Sequence, residues 1–223
     1  MISFKRKWPR RLKARQRPVY NLRMEVYVLD IAALRGREEA ALARLTPSRR
    51  EKALRLRNPE ARLRSAAAGL LLRRYIGDGP FVREAGGKPC IPGGPCFSLS
   101  HSGSYALLAV DGARLGADIE PMAPPRPALA ARVFSAEELR WMAGDEARRF
   151  AYLWTRKEAA LKWDGCGVAY PLRDVCVLPG ERPVVNGRGC ALYSAEYRGY
   201  WISAAGDEPC FVPRAVTWEE VMS

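Results

Sequence analysis

Two carboxylates lie two residues apart in the segment Leu115-Gly-Ala-Asp-Ile-Glu120. Successive side chains of a β-strand point to opposite faces, so Asp118 and Glu120 share one face if this segment is extended. Their Cα atoms would then lie about 7 Å apart, close enough to converge on one cation. Such ligands suit Mg²⁺, which binds a few carboxylates together with phosphate oxygens and waters. Solvent-facing edge strands often show the same alternation, so this pair alone does not define a site.

A second segment, Trp154-Thr-Arg-Lys-Glu-Ala-Ala-Leu-Lys162, places an aromatic residue, an acid and a base at intervals of four. Trp154, Glu158 and Lys162 therefore lie along one row of a helix. This spacing is more commonly a core tryptophan beside a surface Glu–Lys pair. If the row faces a cleft, it presents an acid and a base to the same ligand.

The earlier part of the chain contains candidate phosphate-binding groups. Phe97-Ser-Leu-Ser-His-Ser-Gly103 is typical of a strand that ends in a Ser/Gly turn, where hydroxyls and backbone N–H groups can bind phosphate oxygens. His101 in this segment is the single histidine of the chain. The basic residues that could neutralise a polyanion are Arg49, Lys52, Arg64 and Lys88, the last in a Gly-Gly-Lys-Pro turn.

The order of these segments is more specific than any one of them. G-K-P, S-x-S-H, G-A-D-I-E, F-S-x-E-E and W-x-x-K-E-A-x-x-K follow one another between about Thr46 and Tyr170. The series resembles the 4′-phosphopantetheinyl transferases. It is more similar still to their long, single-chain branch, which activates nonribosomal peptide synthetases such as surfactin synthetase. Residues 1–23 have no counterpart in the pattern.

The resemblance implies an enzyme that moves the 4′-phosphopantetheine arm of coenzyme A onto a serine of an apo acyl or peptidyl carrier protein, releasing adenosine 3′,5′-bisphosphate. Mg²⁺ and coenzyme A are the implied cofactor and co-substrate. By position in the motifs, the metal ligands are Asp118, Glu120 and Glu158, and the catalytic residues are Glu158 and Lys162. The coenzyme A residues are Arg49, Lys52, Arg64, Lys88, Pro89, Ser100 and His101.

The base that takes the proton of the carrier serine stays open at this point. Glu158 is one candidate, acting directly or through water, although a metal ligand is a poor base. Glu138 is a second candidate by proximity in sequence. Ser135 and Glu138 also have the spacing of a capping box at the start of a helix, which gives Glu138 a structural role.

The elements that must position these residues form an α+β pattern. The expected helices begin at Pro47, at Pro59 (ending near Ile76), at Ser135 and at Asp145 (ending near Trp163). The expected strands cover residues 24–31, 97–101, 105–110, 115–120, 175–178, 191–197 and 201–205. Asp111-Gly112 predicts a hairpin between the strands 105–110 and 115–120.

A proline-rich stretch, 124–127, divides the predicted elements into two α+β halves of about 100 residues, 24–121 and 122–223. No sequence repeat links them. The resemblance implies that the two halves are similar and related by a pseudo-twofold axis, with the active site in the cleft between them. Because one chain would form the whole site, we expect a monomer.

The net charge of +13 raises the alternative of a nucleic-acid-binding protein. Nine basic residues and no acid lie in residues 1–23, which we expect to be a disordered, solvated tail. The rest of the chain holds 28 basic and 24 acidic residues and shows no recognised nucleic-acid motif. A further alternative is a different Mg²⁺-dependent phosphohydrolase. Outside residues 1–23 the chain is only mildly basic, and this charge would suit docking to an acidic carrier protein.

The sequence also bears on location. No apolar run approaches the ~20 residues that span a bilayer, and no apolar stretch typical of a secretory signal follows the basic start. The six cysteines are scattered without a C-x-x-C pair, which indicates free thiols rather than a zinc site. We therefore expect a cytoplasmic protein with no membrane contact.

Overall fold

The computed structural model describes residues 24–84, 86–167 and 170–223. The predicted disordered tail, 1–23, lies outside them. The α+β class is confirmed. The helices are α1 (Glu38–Ala43), α2 (Pro47–Leu54), α3 (Pro59–Tyr75), α4 (Pro127–Val133), α5 (Ala136–Met142), α6 (Glu146–Asp164) and α7 (Trp218–Met222). The strands are β1 (Glu25–Asp30), β2 (Val82–Arg83), β3 (Pro89–Cys90), β4 (Cys96–Ser102), β5 (Tyr105–Asp111), β6 (Gly116–Pro121), β7 (Val184–Val185), β8 (Arg188–Gly189), β9 (Ala191–Tyr197), β10 (Tyr200–Gly206) and β11 (Pro213–Val216).

Helix α3 covers a four-stranded sheet of order β11-β1-β5-β4. The Asn58 side chain caps the helix by accepting the Ala61 N–H, and Pro59 occupies the first turn, where its missing N–H is no loss. The segment from Ser65 to Leu72 is buried against the sheet. This packing fixes the helix that forms one wall of the cleft described below.

Helix α6 covers a three-stranded sheet of order β6-β10-β9. It ends at Gly165, whose φ of +88° is the left-handed conformation that glycine adopts most easily. Glu146 begins the helix and Leu153 and Leu161 are among its buried residues. The predicted helix from Asp145 is thus confirmed within two residues.

Two segments cross the predicted boundary between 24–121 and 122–223. Strand β6 pairs antiparallel with β10, and the C-terminal strand β11 pairs parallel with β1. Helix α7 follows β11 and contributes Val221 to the core beneath α3. The division of the chain into two halves stays a prediction.

The predicted hairpin at Asp111-Gly112 is wrong. Strand β5 pairs with β1 and β4, whereas β6 belongs to the other sheet. The hairpin lies instead between β4 and β5, at Gly103, where a Cβ would stand 2.2 Å from the hydroxyl of Tyr200. The Asp111-Gly112 turn redirects the chain so that β6 can pack on α6.

The predicted strand 175–178 is also absent from the described structure. Val175 and Val177 are buried, but their carbonyls accept hydrogen bonds from the side chains of Lys157 and Arg156 rather than from a neighbouring strand. The segment is therefore extended without belonging to a sheet. No helix of the described residues is both long enough and apolar enough to cross a membrane.

Candidate active site

A cleft of about 930 Å³ lies between the two sheets, with α2, α3 and β4 on one side and β6 and α6 on the other. Ten of the eleven predicted site residues line it: Arg49, Lys52, Lys88, Pro89, Ser100, His101, Asp118, Glu120, Glu158 and Lys162. The two predicted groups, the carboxylates and the phosphate-binding candidates, thus face one another across a single space.

Arg64 is the predicted residue that does not line this cleft. It lies on α3 and donates from Nη1 to the carbonyl of Gly103 at 3.2 Å. This bond ties α3 to the β4–β5 turn, which begins two residues beyond His101. In the structure Arg64 therefore supports the edge of the cleft rather than forming its wall.

The carboxylates reach the cleft because β6 packs directly on the backbone of α6. A Cβ at Gly116 would stand 2.1 Å from the Ala159 carbonyl oxygen and 2.2 Å from the Trp163 amide nitrogen. Only glycine fits this approach. The contact brings Asp118 and Glu120 on the strand beside Glu158 and Lys162 on the helix.

Asp118 is 3% exposed, and its two carboxylate oxygens differ in their partners. Oδ1 accepts hydrogen bonds from Ser100 Oγ at 2.5 Å and from Lys162 Nζ at 2.6 Å. Oδ2 is buried and has no partner among the described residues. A buried acceptor without a partner costs about 1–3 kcal/mol, and more when it is charged. This oxygen is thus suited to a cation bound in the cleft.

The other two carboxyl groups, of Glu120 and Glu158, lie in surroundings that disfavour their ionised forms. Burial, reinforced by the charge of Asp118, raises the pKa of Glu120 to about 7, although a hydrogen bond from Ser102 opposes the shift. Burial and Asp118 also raise the pKa of Glu158, against the effect of Lys162. A divalent cation would relieve both effects, because it stabilises the ionised acids.

The described residues contain no group of three histidine, cysteine or acidic side chains arranged to hold a metal ion by themselves. Mg²⁺ commonly takes only one or two protein carboxylates, with substrate phosphates and waters as its other ligands. The donor set fits such a site through the free oxygen of Asp118, with Glu120 and Glu158 near it.

The opposite wall of the cleft is cationic. Burial lowers the pKa of Arg49, and the neighbouring charge of Arg83 adds to the effect. Burial and the charges of Arg49 and Arg83 likewise lower the pKa of Lys52. The Nε of Arg49 is buried without a partner among the described residues. Burial and, to a smaller extent, repulsion between these cations disfavour their charged forms, and an anionic ligand would offset both effects.

Gly86, Gly87 and Lys88 line one end of the cleft, where Gly86 lies against Gly165, the residue that ends α6. A Cβ at Gly86 would overlap the Gly165 carbonyl oxygen, at 1.4 Å. Lys88 donates from Nζ to the Leu115 carbonyl at 2.5 Å, and burial lowers its pKa to about 8, with a further contribution from Arg114.

Arg114 fastens this end of the cleft. Its Nε donates to the Trp163 carbonyl at 2.5 Å, and its Nη2 contacts both the Asp164 carbonyl and Glu84, the latter at 2.8 Å. The guanidinium therefore joins the last turn of α6 to the segment that leads into Lys88.

Sequence reasoning missed several polar residues in the walls, among them Ser65 and Arg83. Ser65 lies one turn from Ala61 on α3 and directly follows Arg64, a predicted site residue. Its place on this predicted helix was the signal that could have indicated a position in the cleft wall. Arg83 lies in the two-residue strand β2, which is too short for a periodic pattern. Glu138, the second candidate base, is absent from the walls.

Glu138 has instead a structural role. It completes the predicted capping box with Ser135 and accepts the Val177 N–H. It also forms an ion pair with Lys157 at 2.9 Å, and both side chains are fully buried. Its oxygens are therefore occupied within the core, which removes it as a base for a substrate in the cleft.

Comparison with known proteins identifies relatives of one kind. The family model for the 4′-phosphopantetheinyl transferase superfamily matches residues 114–208, which include β6 and α6. The 4′-phosphopantetheinyl transferase Sfp of Bacillus subtilis is 32% identical over 165 residues, covering 67% of this chain and 74% of the relative. The transferase psf-1 of Bacillus pumilus is 42% identical over 98 residues, covering 41% and 42%.

A third relative comes from a different genus. The 4′-phosphopantetheinyl transferase HetI of a Nostoc species is 35% identical over 165 residues, covering 65% of both chains. The family suggested by the order of the motifs is thus confirmed by the family model and by these relatives. Because the alignment with Sfp is 32% identical and covers 74% of that protein's length, the chain belongs to the 4′-phosphopantetheinyl transferase superfamily.

Proposed function

We propose that this enzyme transfers the 4′-phosphopantetheine arm of coenzyme A to a serine of an apo acyl or peptidyl carrier protein. The serine oxygen bonds to the phosphorus that carries pantetheine, the bond from that phosphorus to the nucleotide phosphate breaks, and adenosine 3′,5′-bisphosphate leaves. The observation that carries the proposal is a cleft with a cationic wall facing three carboxylates and Lys162. The transferases among its relatives support the reaction class.

The cationic wall provides the charges that a polyanionic donor requires. Arg49 has a buried Nε without a partner among the described residues. Arg83 lies close enough to lower the pKa of Arg49, and both arginines lower the pKa of Lys52, so the three positive charges are near one another. Lys88, at one end of the cleft, adds a further cation. Ser100 and His101 lie near the end of β4 and line the cleft, which supports contacts from them to the phosphate groups of coenzyme A.

Asp118, Glu120 and Glu158 would hold Mg²⁺, through the oxygen of Asp118 that lacks a partner and the two acids whose ionisation is suppressed. When bound, the ion neutralises charge on the phosphate oxygens as the bond breaks. Asp118 also holds Lys162 in place, since it accepts a hydrogen bond from Lys162 Nζ.

Lys162 and Glu158 have complementary roles. The ammonium group of Lys162 can stabilise the phosphate oxygen of the departing nucleotide and donate a proton to it. Glu158 takes the proton of the carrier serine, directly or through water.

For the architecture, we propose two similar halves related by a pseudo-twofold axis, with the cleft between them. Each sheet is covered by one long helix, α3 with 17 residues and α6 with 19, which supports the idea. Because both walls come from one chain, we propose that the enzyme acts as a monomer. The absence of any apolar run long enough for a membrane supports a cytoplasmic location.

The proposed transferase differs from a Mg²⁺-dependent phosphohydrolase because it needs an apo carrier protein as the acceptor. We would follow the release of adenosine 3′,5′-bisphosphate from coenzyme A and Mg²⁺ with and without an apo carrier. The transferase should release it only when the carrier is present, in amounts equal to the carrier modified. Release at the same rate without a carrier would indicate a hydrolase.

A further inference from the structure

Strands β4 and β6 lie side by side where the two sheets meet, yet they belong to different sheets. Side chains join them in place of a ladder of backbone hydrogen bonds. The joining groups are three serines of β4, Ser98, Ser100 and Ser102, which alternate along the strand and therefore share one face. We call them the serine row.

The first member of the serine row bonds to backbone. Ser98 Oγ accepts the Ala117 N–H at 2.9 Å and donates to the Ala117 carbonyl at 3.3 Å. These two bonds satisfy the backbone N–H and carbonyl of Ala117, which have no hydrogen-bonded strand on this side of β6. Ser98 is 4% exposed, and its role is to hold the two strands together.

The other two members bond to carboxylates. Ser100 Oγ donates to Asp118 Oδ1 at 2.5 Å, and Ser102 Oγ donates to Glu120 Oε2 at 2.5 Å. Asp118 has a second donor in Lys162, so Ser100 is not its sole support. For Glu120, the hydroxyl of Ser102 is the donor that the described residues provide.

Glu120 needs such support more than Asp118 does. Its side chain has one more rotatable bond, it is less buried, and it lies on the same strand face as the like charge of Asp118. Repulsion between these carboxylates favours rotamers that turn Glu120 away from the cleft. The bond from Ser102 holds one oxygen of Glu120 and leaves the other available for a cation.

We propose that Ser102 is a positioning residue that holds Glu120 in the orientation needed to bind the divalent cation. The inference rests on the proposed function, because the cation belongs to it. Partners that orient a metal-binding side chain typically contribute 10- to 100-fold to metal affinity. We expect about 10-fold here, since Ser102 acts on one of three carboxylates.

The test is a Mn²⁺ titration followed by electron paramagnetic resonance, with coenzyme A saturating and no carrier, so that no turnover occurs. Ser102→Ala should weaken Mn²⁺ binding about 10-fold. The same variant should bind coenzyme A without metal within about 2-fold of the wild type, which a general loss of structure would not allow. Ser102→Thr keeps the hydroxyl and should restore Mn²⁺ binding, and Ser102→Cys, a weak donor, should fall between them.

Ser98→Ala is the matched control, because it removes a hydroxyl from the same row that bonds only to backbone. It should lower the melting temperature and leave Mn²⁺ affinity within about 2-fold. Equal Mn²⁺ affinity of wild type and Ser102→Ala would overturn the positioning role, as would an equal loss in Ser98→Ala. If the wild type with coenzyme A binds no Mn²⁺, the proposed metal site itself is wrong, and the inference with it.

Discussion

At the scale of single residues, Asp118 carries two functions on its two oxygens. Oδ1 holds Ser100 and Lys162, and Oδ2 is buried with no partner among the described residues. The first function fixes the carboxylate in the cleft, and in the proposed reaction the second provides a ligand for Mg²⁺. A substitution that keeps the shape and removes the charge can separate these functions.

Asp118→Asn should reduce carrier modification at least about 100-fold, because the ion contributes several kcal/mol of charge stabilisation. The amide can still accept the hydrogen bond of Ser100, so the protein should fold. Transfer rates and melting temperature provide the measurement. Asp111→Asn, at the end of β5 and away from the cleft, is the control. Wild-type activity in Asp118→Asn would refute the metal role.

We predict that Lys88 makes the binding of coenzyme A depend on pH. Burial lowers its pKa to about 8, so the free protein loses this positive charge as pH rises from 7 to 9. A bound phosphate favours the charged form, and coenzyme A affinity should therefore fall across this interval.

Calorimetric titration with coenzyme A, without metal or carrier, at pH 7, 8 and 9 measures this effect. Lys88→Arg keeps its charge over the whole interval and should show a flatter profile than the wild type. Parallel profiles of the two proteins would mean that another group causes the pH dependence.

At the scale of elements, the contact between Gly86 and Gly165 and the bonds of Arg114 unite the end of α6 with the segment that leads into Lys88. Helix α6 also carries Glu158 and Lys162. In the proposed reaction, the end of the cleft that binds coenzyme A and the end that reacts are therefore joined through α6, and Arg114 makes the connecting bonds.

Arg114→Gln should raise the KM for coenzyme A about 5-fold, since a half-buried ion pair contributes ~1 kcal/mol. The kcat should stay within about 2-fold, because the reacting carboxylates keep their own bonds. Steady-state kinetics with a fixed carrier measures both. Arg148→Gln, which loses an exposed pair with Glu196 elsewhere, should change neither. A fall in kcat with unchanged KM would contradict the fastening role.

Elements with local signals could be predicted from the sequence. The cap of Asn58 on α3, the capping box of Ser135 and the alternation of β4 and β6 all depend on neighbours within a few residues. The row of Trp154, Glu158 and Lys162 does face the cleft. The serine row was only partly foreseen, because its partners lie on a strand that sequence periodicity cannot place beside it.

The failures concern pairing across long separations. Asp111-Gly112 has the residues of a tight turn, but β6 finds a better partner in β10, about 80 residues later, while its backbone packs on α6. Strand β11 has four residues, too few for a period, and it pairs with β1 from the other end of the chain. Turn propensity does not reveal either partner.

At the scale of the whole molecule, the last residues close the first sheet. Strand β11 pairs with β1, and α7 packs against α3, with Val216 and Val221 buried in the same core as Leu70. The C-terminal segment therefore stabilises the layer that carries the cationic wall.

Removing residues 213–223 should lower the free energy of unfolding by about 4 kcal/mol or more, because burying each valine contributes ~1.5–3 kcal/mol. For a chain of this size the melting temperature should fall by at least about 8 °C. Thermal unfolding measures the effect, and deletion of Ser223 alone is the control. An unchanged melting temperature would mean that β11 and α7 contribute little to the fold.

The central claim is that the cleft transfers phosphopantetheine to a carrier serine, and the mass of the carrier tests it most directly. Several apo acyl and peptidyl carriers would each be incubated with the enzyme, coenzyme A and Mg²⁺ and then weighed intact. We predict that at least one gains a single 4′-phosphopantetheine group on its serine, and that chelating the Mg²⁺ prevents this. Unchanged masses for all carriers, with active Sfp modifying the same samples, would contradict the account.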